Sequence, residues 1–318
     1  MPDRRVVSVA LTIAALSAVL AVAAPGFFSR ENLGDLLLGN LPALIVAMGA
    51  TLVILAGEID ISVGSVFAIC GIVAGLLAQA GSPMLLTIAG TCATGALLGA
   101  LNGVLVAYAA LPSIVVTLAT MVALRDGLRW ATQGAWVQNL PSGFQWFGLS
   151  QGAYPLVACA VAAVLQVTLS YGLRHVAAGR AVYASGSDAN AARLAGFNTA
   201  LVKSAVFTIG GALTGLAALL NAVRFNQIPS NAGLGLEMKV IAAVVVGGVA
   251  IRGGRGTLAG TLLGLVLLAL IGPALVFLGI NAYWERAIQG AIILAAVALD
   301  AWRARRRQPD VMLAVQAS

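Results

Sequence analysis

Of the 318 residues, 60% are apolar and 9% are charged, against roughly 45–50% and about 25% in a soluble domain. That leaves too little polar surface to cover the chain in water, which excludes an ordinary soluble globular protein and places the sequence in a bilayer. The net charge of +7 does not imply nucleic acid, because Lys and Arg gather at the cytoplasmic ends of membrane helices.

In chain order, Val6 to Ala24 follows Arg4 and Arg5 and ends in small residues, as a cleavable leader would. It is longer than the roughly 7–15 apolar residues of such a leader and nearly a full crossing, so it predicts a retained first helix. Apolar runs between polar or Gly/Pro breaks predict an all-α polytopic membrane protein of ten helices, near 6–24, 36–56, 63–79, 84–109, 113–132, 153–172, 204–223, 238–251, 257–279 and 284–302. With both termini cytoplasmic, twelve of the 18 basic residues fall inside: Arg4, Arg5, Arg174, Arg180, Arg193, Lys203, Arg252, Arg255, Arg303, Arg305, Arg306 and Arg307. Arg30, Arg125, Arg129, Arg224, Lys239 and Arg286 fall near outer ends. The chain then reads as one transmembrane domain over 1–318, with a cytoplasmic loop at 173–203 and a cytoplasmic tail at 303–318.

Small residues four apart let membrane helices approach closely. Gly95, Gly99 and Gly103 form one such ladder in the fourth span, and Gly256, Gly260 and Gly264 form another entering the ninth; Gly71/Gly75 and Gly211/Gly215 are shorter. Spans four and nine are five apart and run oppositely, as a five-plus-five inverted repeat requires.

Enzymatic readings find little to assemble. His175, the only histidine, stands beside Arg174 at a helix end, and the two lysines do not follow glycine as a Walker A loop requires. Cys70, Cys92 and Cys159 lie in apolar runs and predict neither disulfide nor metal site. Gly253-Gly254-Arg255-Gly256 offers backbone N–H groups to a phosphate, or simply a tight turn between two spans.

Two segments depart from the apolar background. Gly57, Glu58, Asp60, Ser62 and Gly64 interrupt the run from Leu36 to Leu77. Since a charge at the bilayer centre costs about 2.5–3.5 kcal/mol, this is either a cytoplasmic turn or a break lining a polar cavity, with structural or gating duty. In the inner loop, Ser187 or Asp188 suits a helix N-cap, Ala189 to Ala195 suits two helical turns, and Gly196 suits the residue after them; Leu194 and Phe197 give an apolar edge for a cytoplasmic partner.

At these residues the sequence resembles the permease subunits of bacterial sugar ABC importers, the ribose, xylose, arabinose, rhamnose and autoinducer-2 group. The likeness runs through Phe27-Phe28-Ser29-Arg30-Glu31-Asn32-Leu33, Glu58-Ile59-Asp60-Ile61-Ser62-Val63-Gly64, Leu111-Pro112-Ser113-Ile114-Val115-Val116-Thr117-Leu118, Gly179-Arg180 through Ala192-Arg193-Leu194-Ala195-Gly196, and Val246-Gly247-Gly248 through Gly253-Gly254-Arg255-Gly256-Thr257. Glu58 departs from the group's usual Gly-Gly-Ile-Asp, and Val249-Ala250-Ile251-Arg252 from its usual Ser and Phe. Gln133 to Val137 and Trp284 to Gly290 look most like rhamnose-type permeases.

The resemblance implies a non-catalytic subunit of the bacterial inner membrane that carries a sugar by alternating access and binds no cofactor itself, with ATP and Mg on a partner ATPase. It implies cytoplasmic ATPase subunits docked on Ser187, Asp188, Arg193, Leu194, Gly196 and Phe197, with Arg193 holding an acidic or carbonyl partner. A second permease chain, identical or paralogous, a periplasmic sugar-binding protein and membrane lipid complete the partners; nucleic acid is not among them. A sugar path should be lined by amides and hydroxyls, for which Asn102, Thr117, Asn221 and Gln289 are candidates. Two rivals are a self-sufficient ion-coupled secondary transporter, with Glu58, Asp60, Arg125 and Asp126 as its ion site, and an intramembrane enzyme.

Overall fold

In a bilayer every backbone N–H and C=O must find its partner within the protein, which for one chain without a closed barrel means helices. The computed structural model describes residues 4–307 apart from 25 and 282. Its helices are α1 (Arg4–Ala23), α2 (Arg30–Leu55), α3 (Val63–Gln79), α4 (Met84–Ala107), α5 (Ser113–Thr132), α6 (Tyr154–His175), α7 (Ala177–Ser187), α8 (Ala189–Leu194), α9 (Thr199–Ala222), α10 (Leu236–Val246), α11 (Leu258–Phe277) and α12 (Trp284–Arg307). Each of the ten apolar runs carries one helix, and α7 and α8 occupy the loop between the sixth and seventh. The tail beyond Arg307 lies outside the described residues.

Six helices, α1, α2, α4, α6, α9 and α11, are long and apolar enough to cross a membrane. The run at 238–251 is shorter as a helix than its composition suggests. α10 has 11 residues, about 16 Å, or half the hydrocarbon thickness. Gly247 and Gly248 end it: Gly248 takes φ +92°, open only to residues that tolerate a left-handed backbone, and Gly247 lies against the backbone of Gly260 with no room for a side chain.

Glycine sets the packing where lipid supplies no hydrophobic drive. Along α4 and α9, Gly95, Gly99 and Gly103 lie against Gly211, Gly215, Phe207 and Ser204; a side chain at Gly103 would meet the Ser204 Cα at 2.9 Å. A side chain at Gly49 of α2 would likewise meet the Gly210 Cα of α9 at 2.9 Å. The second ladder works on another neighbour, since Gly260 and Gly264 of α11 receive Gly247 and Ala243 from the end of α10. Gly75 of α3 instead faces Ile228 and Val137, a β-bridge pair in the loops after α9 and α5.

The neighbours form a repeating pattern. α3 packs on α4, α5 and α9, while α10 packs on α11, α12 and α2; α9 lies along α4, and α2 along α11. The core runs through the middle of α2, α3 and α9, where Ile45, Met48, Cys70, Phe207 and Leu219 are wholly buried. α1 docks separately, with Leu20, Ala24 and Phe27 against Leu270 and Ala274 of α11.

Candidate functional site

α2 ends at Leu55 because Gly57 takes φ +86°. Six residues later the chain restarts as α3, and between them Asp60 turns into the protein rather than toward water, with 7% of its surface exposed. Its Oδ1 accepts the backbone N–H of Ser62 at 2.8 Å and the Ser62 hydroxyl at 2.6 Å. The Ser62 oxygen accepts Asn102 Nδ2 from α4 at 2.9 Å, and Asn102 Oδ1 accepts the Thr120 hydroxyl from α5 at 2.7 Å. Beside it, Ser113 Oγ accepts Ile59 N–H, and Thr117 donates to the carbonyls of Ser113 and Ile59. A polar ladder thus ties the turn to α4 and α5. Burial holds the Asp60 carboxyl above its ordinary value, opposed by the hydrogen bonds from Ser62. The motif is therefore a turn whose carboxylate organises the chain around it.

Glu58 takes no part in that ladder and pairs with Lys203 in the first turns of α9. The pair forms one wall of a cavity of about 630 Å³ whose other residues include Pro112, Arg193, Phe197 and Thr199. Gly64, in the first turn of α3, has no room for a side chain because the Glu237 carboxylate and the Gly233 carbonyl lie against it. Glu237 opens α10 and pairs with Arg125 of α5 at 3.4 Å, while its Oε2 has no partner among the described residues. The first turns of α3 and α10 therefore meet around one ion pair. Sequence reasoning missed Lys203 and Glu237 as partners; a charge inside an apolar run signals that a partner exists, but its identity lies 145 and 112 residues away.

The inner segment holds more structure than a loop. α8 is capped by Asp188, whose Oδ1 accepts from Asn190 N and Ala191 N, and ends in a Schellman turn with Gly196 N–H to Arg193 O, Phe197 N–H to Ala192 O and Gly196 at φ +87°. Ser187 is the last residue of α7, an eleven-residue helix absent from the sequence reading. Arg193 donates to Asn190 on its own helix, and Leu194 is 92% exposed. α7 locks onto two other turns: Gly254 N–H donates to Leu55 O at 2.9 Å, a side chain at Gly253 would strike the Gly57 Cα at 2.7 Å, and one at Gly254 would strike the Ser187 Cα at 2.7 Å. Gly253-Gly254-Arg255-Gly256 is thus a tight turn whose first two N–H groups are used within the protein.

The four polar span residues do not converge. Asn102 and Thr117 meet at the Asp60 turn and are wholly buried. Asn221 is half-buried in the last turn of α9, and Gln289 donates to Glu285 on its own helix, α12.

A family profile described as branched-chain amino acid transport system / permease component matches residues 32–297. The chain belongs to this permease family. Over 297 residues it is 36% identical to the autoinducer 2 import system permease protein LsrC of Escherichia coli (strain K12 / DH10B), covering 90% of this chain and 85% of that one. The same-named protein of Enterobacter sp. (strain 638) is 36% identical over 298 residues, covering 93% and 86%. The ribose import permease protein RbsC of Escherichia coli (strain K12) is 33% identical over 295 residues, covering 91% and 92%. No solved structure matches. The chain is a multi-pass permease of the bacterial inner membrane, a transport subunit and not an enzyme. The rhamnose-type likeness of 133–137 and 284–290 finds no support in these relatives, which are named for autoinducer 2 and ribose.

Proposed function

We propose that the chain is the translocation subunit of an ATP-driven importer that carries ribose, autoinducer-2 or a sugar close to them. Two permease chains, identical or paralogous, form the path; two ATPase subunits that hold ATP and Mg engage the α7–α8 segment, and a periplasmic binding protein delivers solute. The observation that carries this reading is the 33–36% identity over about 90% of the chain to permeases named for ribose and autoinducer 2; the three-way contact of the α2–α3 turn, the end of α7 and the α10–α11 turn supplies a coupling route. A push on α8 reaches the turn at Asp60 through backbone-to-backbone contacts with no soft side chain between them.

Ten crossings with both ends inside agree with the distribution of basic residues and with a helix on each apolar run, although α10 is too short to cross alone and the eighth pass needs the non-helical chain beside it. A five-plus-five inverted repeat agrees with the neighbour pattern: moving five spans along the chain turns α3 on α4 into α10 on α11, α3 on α5 into α10 on α12, and α9 on α4 into α2 on α11. An ion-coupled secondary transporter fits less well. The four charges it would use are engaged, Glu58 with Lys203, Asp60 with Ser62, Arg125 with Glu237 and Asp126 with Arg129, and no cluster of three potential metal-ligating groups occurs among the described residues.

Extraction in mild detergent tests the assignment. An ATPase should co-purify, and vesicles holding both, with the binding protein present, should take up ribose or autoinducer-2 only with ATP; uptake by this chain alone on an ion gradient would overturn it. A path over Asn102, Thr117, Asn221 and Gln289 requires the hydrogen bonds of Asn102, Thr117 and Gln289 to open during the cycle. Cysteines there should react with a small water-soluble thiol reagent in one nucleotide state and not the other, and no reaction in either state places the path elsewhere.

A further inference from the structure

Beside α7, the end of α6, α7 and the turn before α11 border an open groove of about 680 Å³. Arg174, Arg180 and Arg255 line it, one from each segment, together with Tyr183, Gly256 and Thr257. Its wall is fixed, since the Tyr183 hydroxyl donates to Gly256 O at 2.9 Å. No carboxylate lines it, and none of the three arginines has an ion pair among the described residues. All three are exposed on this open face, and three guanidinium groups gathered without a counter-charge make a positive patch that attracts an anion.

The surface leading to this groove says what carries the anion. α6 presents Leu156, Val164, Val167 and Tyr171 on one exposed face that ends at Arg174, and Tyr171 stacks on His175 with ring centroids 4.6 Å apart. The stripe runs about 22 Å, most of the hydrocarbon thickness, and its lower part, Val164, Val167 and Tyr171, lies beside one leaflet just before the cationic groove, which matches a molecule with acyl chains and a negative head. That stripe faces the bilayer, so it brings the arginines at its end to headgroup level, within direct reach of a lipid phosphate.

We propose that this groove is a binding site for the phosphate headgroup of an anionic phospholipid of the inner leaflet, with the acyl chains along α6. The leaflet assignment rests on the orientation proposed above, whereas headgroup binding does not. Such a lipid neutralises the arginines and braces α7 against the turn at 253–256, which itself touches the α2–α3 turn.

Native mass spectrometry of the full-length permease in mild detergent tests this directly, with phosphatidylglycerol as probe and phosphatidylcholine of the same acyl chains as control. Phosphatidylglycerol should be held with at least one site's preference, and Arg174→Gln, Arg180→Gln and Arg255→Gln should each weaken it about fivefold. Arg180→Lys, which keeps the charge, should retain most binding and guards against a folding artefact. Equal retention of the two lipids, unchanged binding in all three Gln variants, or an Arg180→Lys variant as weak as Arg180→Gln would overturn the proposal. Displacement of phosphatidylglycerol by inorganic phosphate would also overturn it, by making this a site for the free anion. None of these readouts depends on transport, so the importer assignment can fail while this one stands.

Discussion

Asp60 is the residue whose replacement discriminates most sharply between a structural and a solute-binding role. Asp60→Leu leaves two donors, Ser62 N–H and Ser62 Oγ–H, without an acceptor in a buried site. At about 1–3 kcal/mol for each orphaned group the loss is about 2–6 kcal/mol, a large part of a typical total stability of about 5–15 kcal/mol. It also removes the anchor of the chain through Ser62, Asn102 and Thr120. Asp60→Asn keeps an oxygen where Oδ1 sits. It gives up the charge-assisted part of two bonds, about 1 kcal/mol each, and recovers part of that because a neutral amide is not penalised by burial as a carboxylate is. Membrane abundance, monodispersity after heating in detergent and ATPase stimulation should therefore fall strongly in Asp60→Leu and mildly in Asp60→Asn, with cargo preference unchanged. The same burial fixes the sign of a pH effect. The folded-state carboxyl sits above its ordinary value, so the fold binds the proton more tightly than the unfolded chain, and the wild type loses stability as pH rises from that ordinary value through the raised one. Asp60→Asn should lack that component. Equal damage from Leu and Asn, or an Asn variant with intact abundance and altered sugar preference, would refute the structural role.

The Glu58–Lys203 pair is partly buried, so either Glu58→Gln or Lys203→Met should cost about 1–3 kcal/mol after discounting for solvent, and the exchange Glu58→Lys with Lys203→Glu should restore most of it in thermal stability and ATPase stimulation; an additive double variant would show that the charges do not interact. Gly95→Ala puts a methyl into the Gly211 carbonyl and should destabilise by about 1–3 kcal/mol, whereas Gly39→Ala in α2, with nothing within 4 Å, should be neutral or gain about 0.5–1 kcal/mol; the two are compared by detergent melting, and the reverse order would refute glycine packing of α4 on α9. At Gly196, φ +87° makes Val costly by about 1–2 kcal/mol and Asn tolerable. Gly196→Val should insert normally and lose ATPase recovery and uptake while Gly196→Asn keeps both, and normal coupling in the Val variant would refute docking at α8.

Local composition carries far in this chain because a bilayer leaves the backbone few choices. Apolar runs located ten helices from Val6 to Trp302, and the α8 stop at Gly196 was legible and its cap narrowed to Ser187 or Asp188, since such residues act on groups two to five residues away. Where apolarity and helix part company, as between Val246 and Ile251, composition misleads, because a glycine pair that ends a helix is itself hydrophobically neutral. α7 was hidden for a related reason: Gly179, Ser185 and Gly186 weaken it locally, and it stands because Gly179 packs on Leu173 and Gly186 on Leu55. The partners of each charge were decided by tertiary structure alone. Whether Glu58 or Asp60 turns inward, that Lys203 meets Glu58, that Glu237 closes on Gly64 and Arg125, and that the Gly95 ladder receives α9 while the Gly260 ladder receives α10 all depend on which helices lie side by side. Periodicity within one helix tells which face must be covered, and it holds no information about the element that covers it.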